Sequence, residues 1–429
     1  MTRARLFRDP GAPAQMNPKQ PKILLSEGSS LSAREAITAL GLAGHRVALM
    51  SSDPLCLGRF SRFVTQVHAA PAPGADPDGY LAAVLDVIRT DAIDAVLPVH
   101  EQAYLFAAAR KQFPAEVGLA LADFAAFEQV QSKAALAHLL TRLGVPQPRT
   151  ELIRSADELA RAKAYPFFVK AAFGTASVGV WHVKDDRQRD GLVQRLAQDS
   201  AFGDGLLMQE AIAGTLERTQ AIFDHGRLVA CHIYRQVLEG PGGGDVLKQS
   251  VVDAEVRAIV ETIGHALGWH GALSFDYIRE GASATPYFID ANPRLVEPMN
   301  AWLSGVDLPG ALLQVSLGQN PPAQAPGRAG VVTRLGLMGL LDAARQRNRR
   351  RDVLADIAQL ATGSGRYRST QEELVPLWAD PWVAVPLAVV VSRLLWHPSD
   401  AARVSASTVA AYSLTPQSVR RLHAWQQSP

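Results

Sequence analysis

Cysteine is nearly missing from this chain: Cys56 and Cys231 are the only two among 429 residues. No disulfide framework is implied, and a reducing, cytoplasmic setting is the expectation. Charge of one sign is lacking too. A formal net charge of +2 excludes a polyanion-coating protein, so nucleic acid is not an expected partner. Long apolar runs are wanting as well. The stretch from Trp382 to Trp396, interrupted by Pro386 and Arg393, falls short of the roughly 20 residues that a membrane span needs. It reads as a buried helix of a small closing domain. Together with Arg345, Arg347, Arg349, Arg350 and Arg351 it also admits a second reading, a surface for anionic lipid or an acidic carrier protein. Arg3, Arg5 and Arg8 precede no apolar segment of the secretory kind, and residues 1–21, rich in Pro, Ala and Gly, read as a disordered leader. Met16 is an alternative start.

What is present is ordinary globular composition, 48% hydrophobic and 20% charged, in a chain long enough for two to four domains. From Lys22 to about residue 125, short apolar runs alternate with helical patterns. Lys22–Leu25, Arg46–Met50 and Ala95–Val99 read as strands; Ser32–Ala43, Tyr80–Arg89 and Ala103–Arg110 read as helices. That alternation predicts a parallel sheet covered on both faces, a Rossmann-like module. Glu27 to Ser30 lacks the full dinucleotide fingerprint, so NAD binding is not inferred. Residues 126–320 are a different unit, α+β and more antiparallel, with a small subdomain over about 150–210. Strands are expected at Phe167–Lys170, Val178–Val183, Leu206–Glu210 and Ala272–Ile278, with a hairpin turning at Asp224-His225-Gly226 and a long helix from Val251 to Leu267. After Pro321, Pro322 and Pro326 the remainder, 328–429, reads as mainly helical.

The octamer Tyr287-Phe288-Ile289-Asp290-Ala291-Asn292-Pro293-Arg294 carries the most chemistry. Alternate positions of an extended strand share a face, so an acid, an amide and a guanidinium can project together. Oxygen donors beside a fixed cation suit a metal–polyphosphate site; a strand ending in a turn at Asn292-Pro293 is the structural alternative. Four further pieces precede it in order. Lys133 opens a helix that runs from Ser132 to Leu143. Lys170 ends a strand and leads into a loop with Gly174, Thr175, Ser177 and Gly179, whose backbone amides and hydroxyls suit phosphate. Gln209-Glu210-Ala211-Ile212 is followed by Glu217, and Asp276 lies on the strand before the octamer, within reach of Asp290 and Asn292. Singly, the lysines read as surface cations, the loop as a hairpin connection, Glu210 and Glu217 as solvated carboxylates, and Asp276 as an ion-pair residue. Their order and spacing argue against that.

With these residues in this order, the chain resembles the ATP-grasp superfamily and, within it, the carboxylate–amine (thiol) ligases, from about Lys22 to Gly318. The resemblance implies a Rossmann-like pre-ATP-grasp domain, a two-part ATP-grasp body and a mainly helical C-terminal region. It implies ATP and Mg²⁺ (or Mn²⁺) as cofactors. Lys133 and Lys170 then contact the phosphates, and the Gly174 to Gly179 loop with Thr175 and Ser177 covers them. Glu210, Ala211 and Ile212 meet the adenine, and Glu217 the ribose. Asp276, Asp290 and Asn292 hold metal, and Arg294 sits beside the transferred phosphoryl group. Asp290 stands where the family's pattern usually has Glu. The implied reaction activates a carboxylate as an acyl phosphate for attack by an amine, and no Ser–His–Asp set is found or required.

For the small-molecule acid and amine the weaker candidates are Arg235 and Lys248 around the Gly242–Gly244 loop, Glu101 for the amine, and Trp302, with Trp269-His270, as an apolar wall. Each also has a structural reading, as an ion pair or a core aromatic. A homodimer is compatible with all of this. Two other functions stay open. One is a bicarbonate-using carboxylase-type enzyme, against which no Met-Lys-Met carrier motif is found; the other is a non-catalytic ATP-binding subunit.

Overall fold

The computed structural model describes residues 20–171, 179–199, 201–202, 205–374, 379–401, 409 and 411–427. The first domain is the expected parallel sheet. Its strands are β1 (Ile23–Leu25), β2 (Val47–Ser51), β3 (Val64–Ala69) and β4 (Ala95–Leu97), in the order β3-β2-β1-β4. The central strands β2 and β1 are buried at every position, as continuous apolar runs must be when helices cover both faces of a sheet. The helix Leu31–Leu42 starts where the Ser30 hydroxyl accepts the Ala33 amide at 3.0 Å, and the chain leaves it through Gly44 at φ 97°. β3 lacks an alternating apolar pattern, and sequence reading passed over it.

The small subdomain is an antiparallel sheet of β5 (Thr150–Ile153), β6 (Phe167–Ala171), β7 (Val180–Val183) and β8 (Leu206–Glu210), in the order β5-β8-β6-β7. The third sheet orders its strands β13-β12-β9-β10-β11-β14-β15. Its members are β9 (Gly214–Asp224), β10 (Arg227–Glu239), β11 (Asp245–Val251), β12 (Gly271–Glu280), β13 (Pro286–Asn292), β14 (Val332–Arg334) and β15 (Gln371–Glu372). The expected long helix is shorter than predicted, Ala254–Ala266. Asp253 caps it through the Val256 amide, and Val251 closes β11 instead. β14 and β15 come from beyond the Pro-rich segment, so one sheet is shared between the body and the C-terminal region.

That region is mainly helical, as expected. The helices Gly336–Arg347, Arg350–Thr362 and Ala384–Trp396 enclose a core of Leu340, Leu341, Ala344, Val353 and Leu394. The reading of Trp382–Trp396 as a buried helix is corrected. Only one face packs, burying Val383 and Leu394, while Trp382, Val385, Val389 and Trp396 are exposed. No described helix is long and apolar enough to cross a membrane. The last helix, Pro416–Gln427, returns to the first domain, where Val419 and Leu422 join the core that holds Phe106 and Phe127. A fully buried pair, Arg34 Nη2 to Asp380 Oδ2 at 2.8 Å, ties the C-terminal region to the first helix.

Candidate functional site

The octamer strand β13 pairs antiparallel with β12, and one irregularity decides what it presents. Asp276 lies opposite Asp290, yet Tyr277 lies opposite Phe288, so Ile289 is an extra residue, a β-bulge. Without it, Phe288 and Asp290 would share a face. With it, Phe288 packs into the core on Tyr277 and Phe275, while Asp290 and Asn292 turn with Asp276 toward a cavity of about 1370 Å³. Arg294 is fixed beside them: its backbone amide donates to the Asn292 carbonyl at 2.8 Å and its guanidinium to Asn292 Oδ1 at 3.1 Å.

Two lysines converge on this acid group. Lys133, at the first position of its helix (Lys133–Arg142, capped by Ser132), donates to both Asp290 oxygens at 2.6 and 2.8 Å. Lys170, at the cavity end of β6, is buried and donates to Gln209 Oε1 at 2.7 Å and to the bulged Ile289 carbonyl at 3.1 Å. Burial pulls its ammonium down to about 8, against the opposing pull of Asp290. Asp276 is raised, first by burial and then by the like charges of Asp290 and Asp245, with Arg218 opposing. Arg218 contacts Asp276 at 3.3 Å and clamps Asp245 at 2.5 and 2.7 Å. The cavity thus gathers half-buried acids and buried lysines, a set of the kind that binds phosphate through a hard metal ion.

Other predicted residues distribute unevenly. Glu210 and Ile212 line the cavity at the end of β8; Ala211 does not, and its amide donates to the Pro166 carbonyl at 3.3 Å. Thr175 and Ser177 lie outside the described residues. Glu217 is a correction. It lies opposite Tyr277, on the face of β9 turned from the cavity, and accepts the Tyr277 hydroxyl at 2.6 Å, so the ribose role does not fit. Its neighbours Leu216 and Arg218 take the cavity side, because successive side chains alternate. Arg235, paired across the strands with Glu217 and 3.7 Å from its carboxylate, is likewise turned away. Lys248 is no free substrate cation either. It is buried between Glu297 at 2.5 Å and Glu373 at 2.8 Å, beside Glu35, and burial with mutual repulsion raises both Glu35 and Glu373. Trp302 stands on the short helix Met299–Ser304 away from the cavity, and Trp269 is core. His270 stacks on His225 at the hairpin tip, 4.0 Å between ring centroids.

Glu101 does line the cavity, and its carboxylate accepts the Leu414 amide at 2.6 Å. Beside it, neutral His100, held well below its usual range by burial and by Arg294, stacks on Tyr412 at 3.9 Å. Sequence reading named Gln209 within its run but gave it no role, and it missed Arg218, Glu297, His100 and Tyr412. Arg218 is one residue from Glu217, which was singled out, and Glu297 is three beyond Arg294. Nothing in the sequence signals that Tyr412, more than three hundred residues from His100, closes the same cavity.

Comparison with known proteins agrees with this geometry. Residues 130–298 match the family model of the ATP-grasp domain. The chain is 23% identical over 327 residues to a biotin carboxylase of Pseudomonas aeruginosa, covering 70% of each. Its fold resembles the biotin carboxylase domain of Hydrogenobacter thermophilus 2-oxoglutarate carboxylase, solved with MgADP and bicarbonate, with a TM-score of 0.59 at 15% identity over 73% of this chain and 74% of that one. An L-amino acid ligase from Bacillus licheniformis is similar with a TM-score of 0.54 at 18% identity, over 71% and 76% of the two chains.

Proposed function

We propose that this chain, which carries an ATP-grasp domain over residues 130–298, is an ATP-dependent ligase that activates a small carboxylate as an acyl phosphate and joins it to an amine, releasing ADP and phosphate. The observation that carries the reading is the convergence of Lys133, Lys170, Asp276, Asp290, Asn292 and Arg294, from four separate segments, on one cavity. The donor set fits Mg²⁺. Asp276, Asp290 and Asn292 would hold it through hard oxygens, and the three side chains face the cavity together. Bound there, Mg²⁺ would offset charge on the β- and γ-phosphates.

The protein's own groups do the rest. ATP phosphates draw Lys133 from Asp290 and keep Lys170 protonated. Arg294, braced by Asn292, faces the phosphoryl group as charge moves to the leaving oxygen. Glu210 and Ile212 offer the adenine a polar edge and an apolar face. A carboxylate cannot expel oxide at neutral pH, whereas its acyl phosphate can lose phosphate to an incoming amine. ADP release measured across a panel of carboxylates and amines tests the reading; turnover by neither class, in protein that binds ATP, overturns it in favour of a non-catalytic subunit.

A second reading, bicarbonate as the acid, is favoured by the likeness to biotin carboxylases. Bicarbonate-dependent ADP release without an amine would replace the first reading by this one. The Hydrogenobacter domain is a dimer, which supports a homodimer here.

A further inference from the structure

The cavity is larger than one nucleotide site requires. Pockets for a drug-sized ligand span roughly 300–1,000 Å³, whereas this one measures about 1370 Å³. The excess lies against the C-terminal region, and its lining changes character there. Leu337, Met338 and Leu341 project from the helix Gly336–Arg347, and Pro386 and Val390 from the helix Ala384–Trp396. Opposite them stands the loop Pro241–Gly244, whose three glycines leave the space unfilled. A Cβ added at Gly244 would come within 2.8 Å of the Met338 methyl carbon. Among the described side chains that these two helices contribute to the lining, Arg345, which is exposed, carries the one charge, while Gln236 and Glu239 of β10 line the cavity before the loop.

We infer that this is a subsite for an apolar chain carried by one of the two substrates, whose reacting carboxylate or amine lies toward Arg294. The inference rests on the ligase reading for the second half of that statement only. Five aliphatic side chains from two helices face the backbone of a glycine loop and themselves offer no hydrogen bond to a charged metabolite. They remove methylene groups from water. The lobe is continuous with the cavity that holds Asp276, Asp290 and Arg294, so a chain seated in it can extend from the reacting end. The sequence gives the same helix its run of Val and Leu, which packing alone does not consume, since only Leu394 within it is fully buried.

The test uses full-length protein and two homologous series, n-alkyl carboxylates and n-alkylamines of increasing length, each with short partners from the opposite class. Displacement of the apolar dye 1-anilinonaphthalene-8-sulfonate gives affinity without turnover, and ADP release gives kcat/KM. Each added methylene should improve both by roughly threefold to fourfold until the lobe is filled. Val390→Trp, which fills the space from a partly exposed position, should shorten the preferred chain, whereas Val389→Ala, at an exposed position of the same helix outside the lining, should leave the preference in place. Chain-dependent binding without ADP release would uphold the subsite and remove the ligase reading. ADP release with short substrates and no dependence on chain length in either series would uphold the ligase and overturn the subsite. Dye that is not displaced by any member of either series would overturn it as well.

Discussion

Removing the Asp380 carboxylate should unfasten the C-terminal region from the first domain. Asp380 and Arg34 are both fully buried, and Asp380 also accepts the Ser61 hydroxyl at 2.5 Å and the Arg62 amide at 2.9 Å. Burial already lowers Arg34, and the Asp380 carboxylate does most to hold its charge; the Arg34 Nε has no partner among the described residues. Asp380→Ala therefore strands a guanidinium in the interior. Breaking such a pair from one side costs about 3–5 kcal/mol, because the remaining charge is uncompensated. The double variant Arg34→Met with Asp380→Leu removes both charges and should recover most of that loss, since an apolar pair of similar volume is often neutral. Urea unfolding of wild type, single and double variants measures the cycle. Limited proteolysis should show new cleavage beyond residue 379 in the single variant. A single variant that loses less than about 1 kcal/mol, or a double variant less stable than the single, would refute the reasoning.

Other outcomes follow from the site. The Lys170 ammonium titrates near 8 in the free protein, so the proton it needs for phosphate is lost as pH rises through that value. ATP affinity should fall above it, and calorimetry at about pH 8.5 in buffers of differing ionisation enthalpy should show proton uptake on binding, absent in Lys170→Arg. Glu217→Ala orphans the Tyr277 hydroxyl and should cost about 1–3 kcal/mol of stability while KM for ATP moves less than about twofold; a large rise in KM would restore a ribose role. Arg294→Ala should lower kcat by about a hundredfold to a thousandfold in protein whose circular dichroism is unchanged, if the guanidinium meets charge that develops only in the transition state. A change confined to KM would assign it to ground-state binding instead.

How much was legible depended on the range of the interactions. β1, β2 and the helix Leu31–Leu42 carry their own punctuation, Ser30 before and Gly44 after, and the octamer's composition announced a site. β11, β14 and β15 are strands because they find partners far along the chain, and no local pattern reports that. Glu217 failed for a related reason. Its face is set by the pairing of Tyr277 with Glu217 and of Asp276 with Arg218, a register that sequence spacing does not reveal. The bulge at Ile289 cut the other way. It turned Asp290 and Asn292 to the cavity when simple alternation from Phe288 would have buried them. Lys248 looked like a substrate cation because its partners Glu297 and Glu373 lie forty-nine and 125 residues away.

The central claim is that ATP is split at its β,γ-bridge to activate a carboxylate. The direct measurement is product identity by phosphorus NMR, with ATP, Mg²⁺ and a turning-over acid and amine, using acid labelled with ¹⁸O in its carboxylate. The account predicts ADP and phosphate in equal amounts, with one labelled oxygen carried into the phosphate. AMP and pyrophosphate, or phosphate without label, would contradict it.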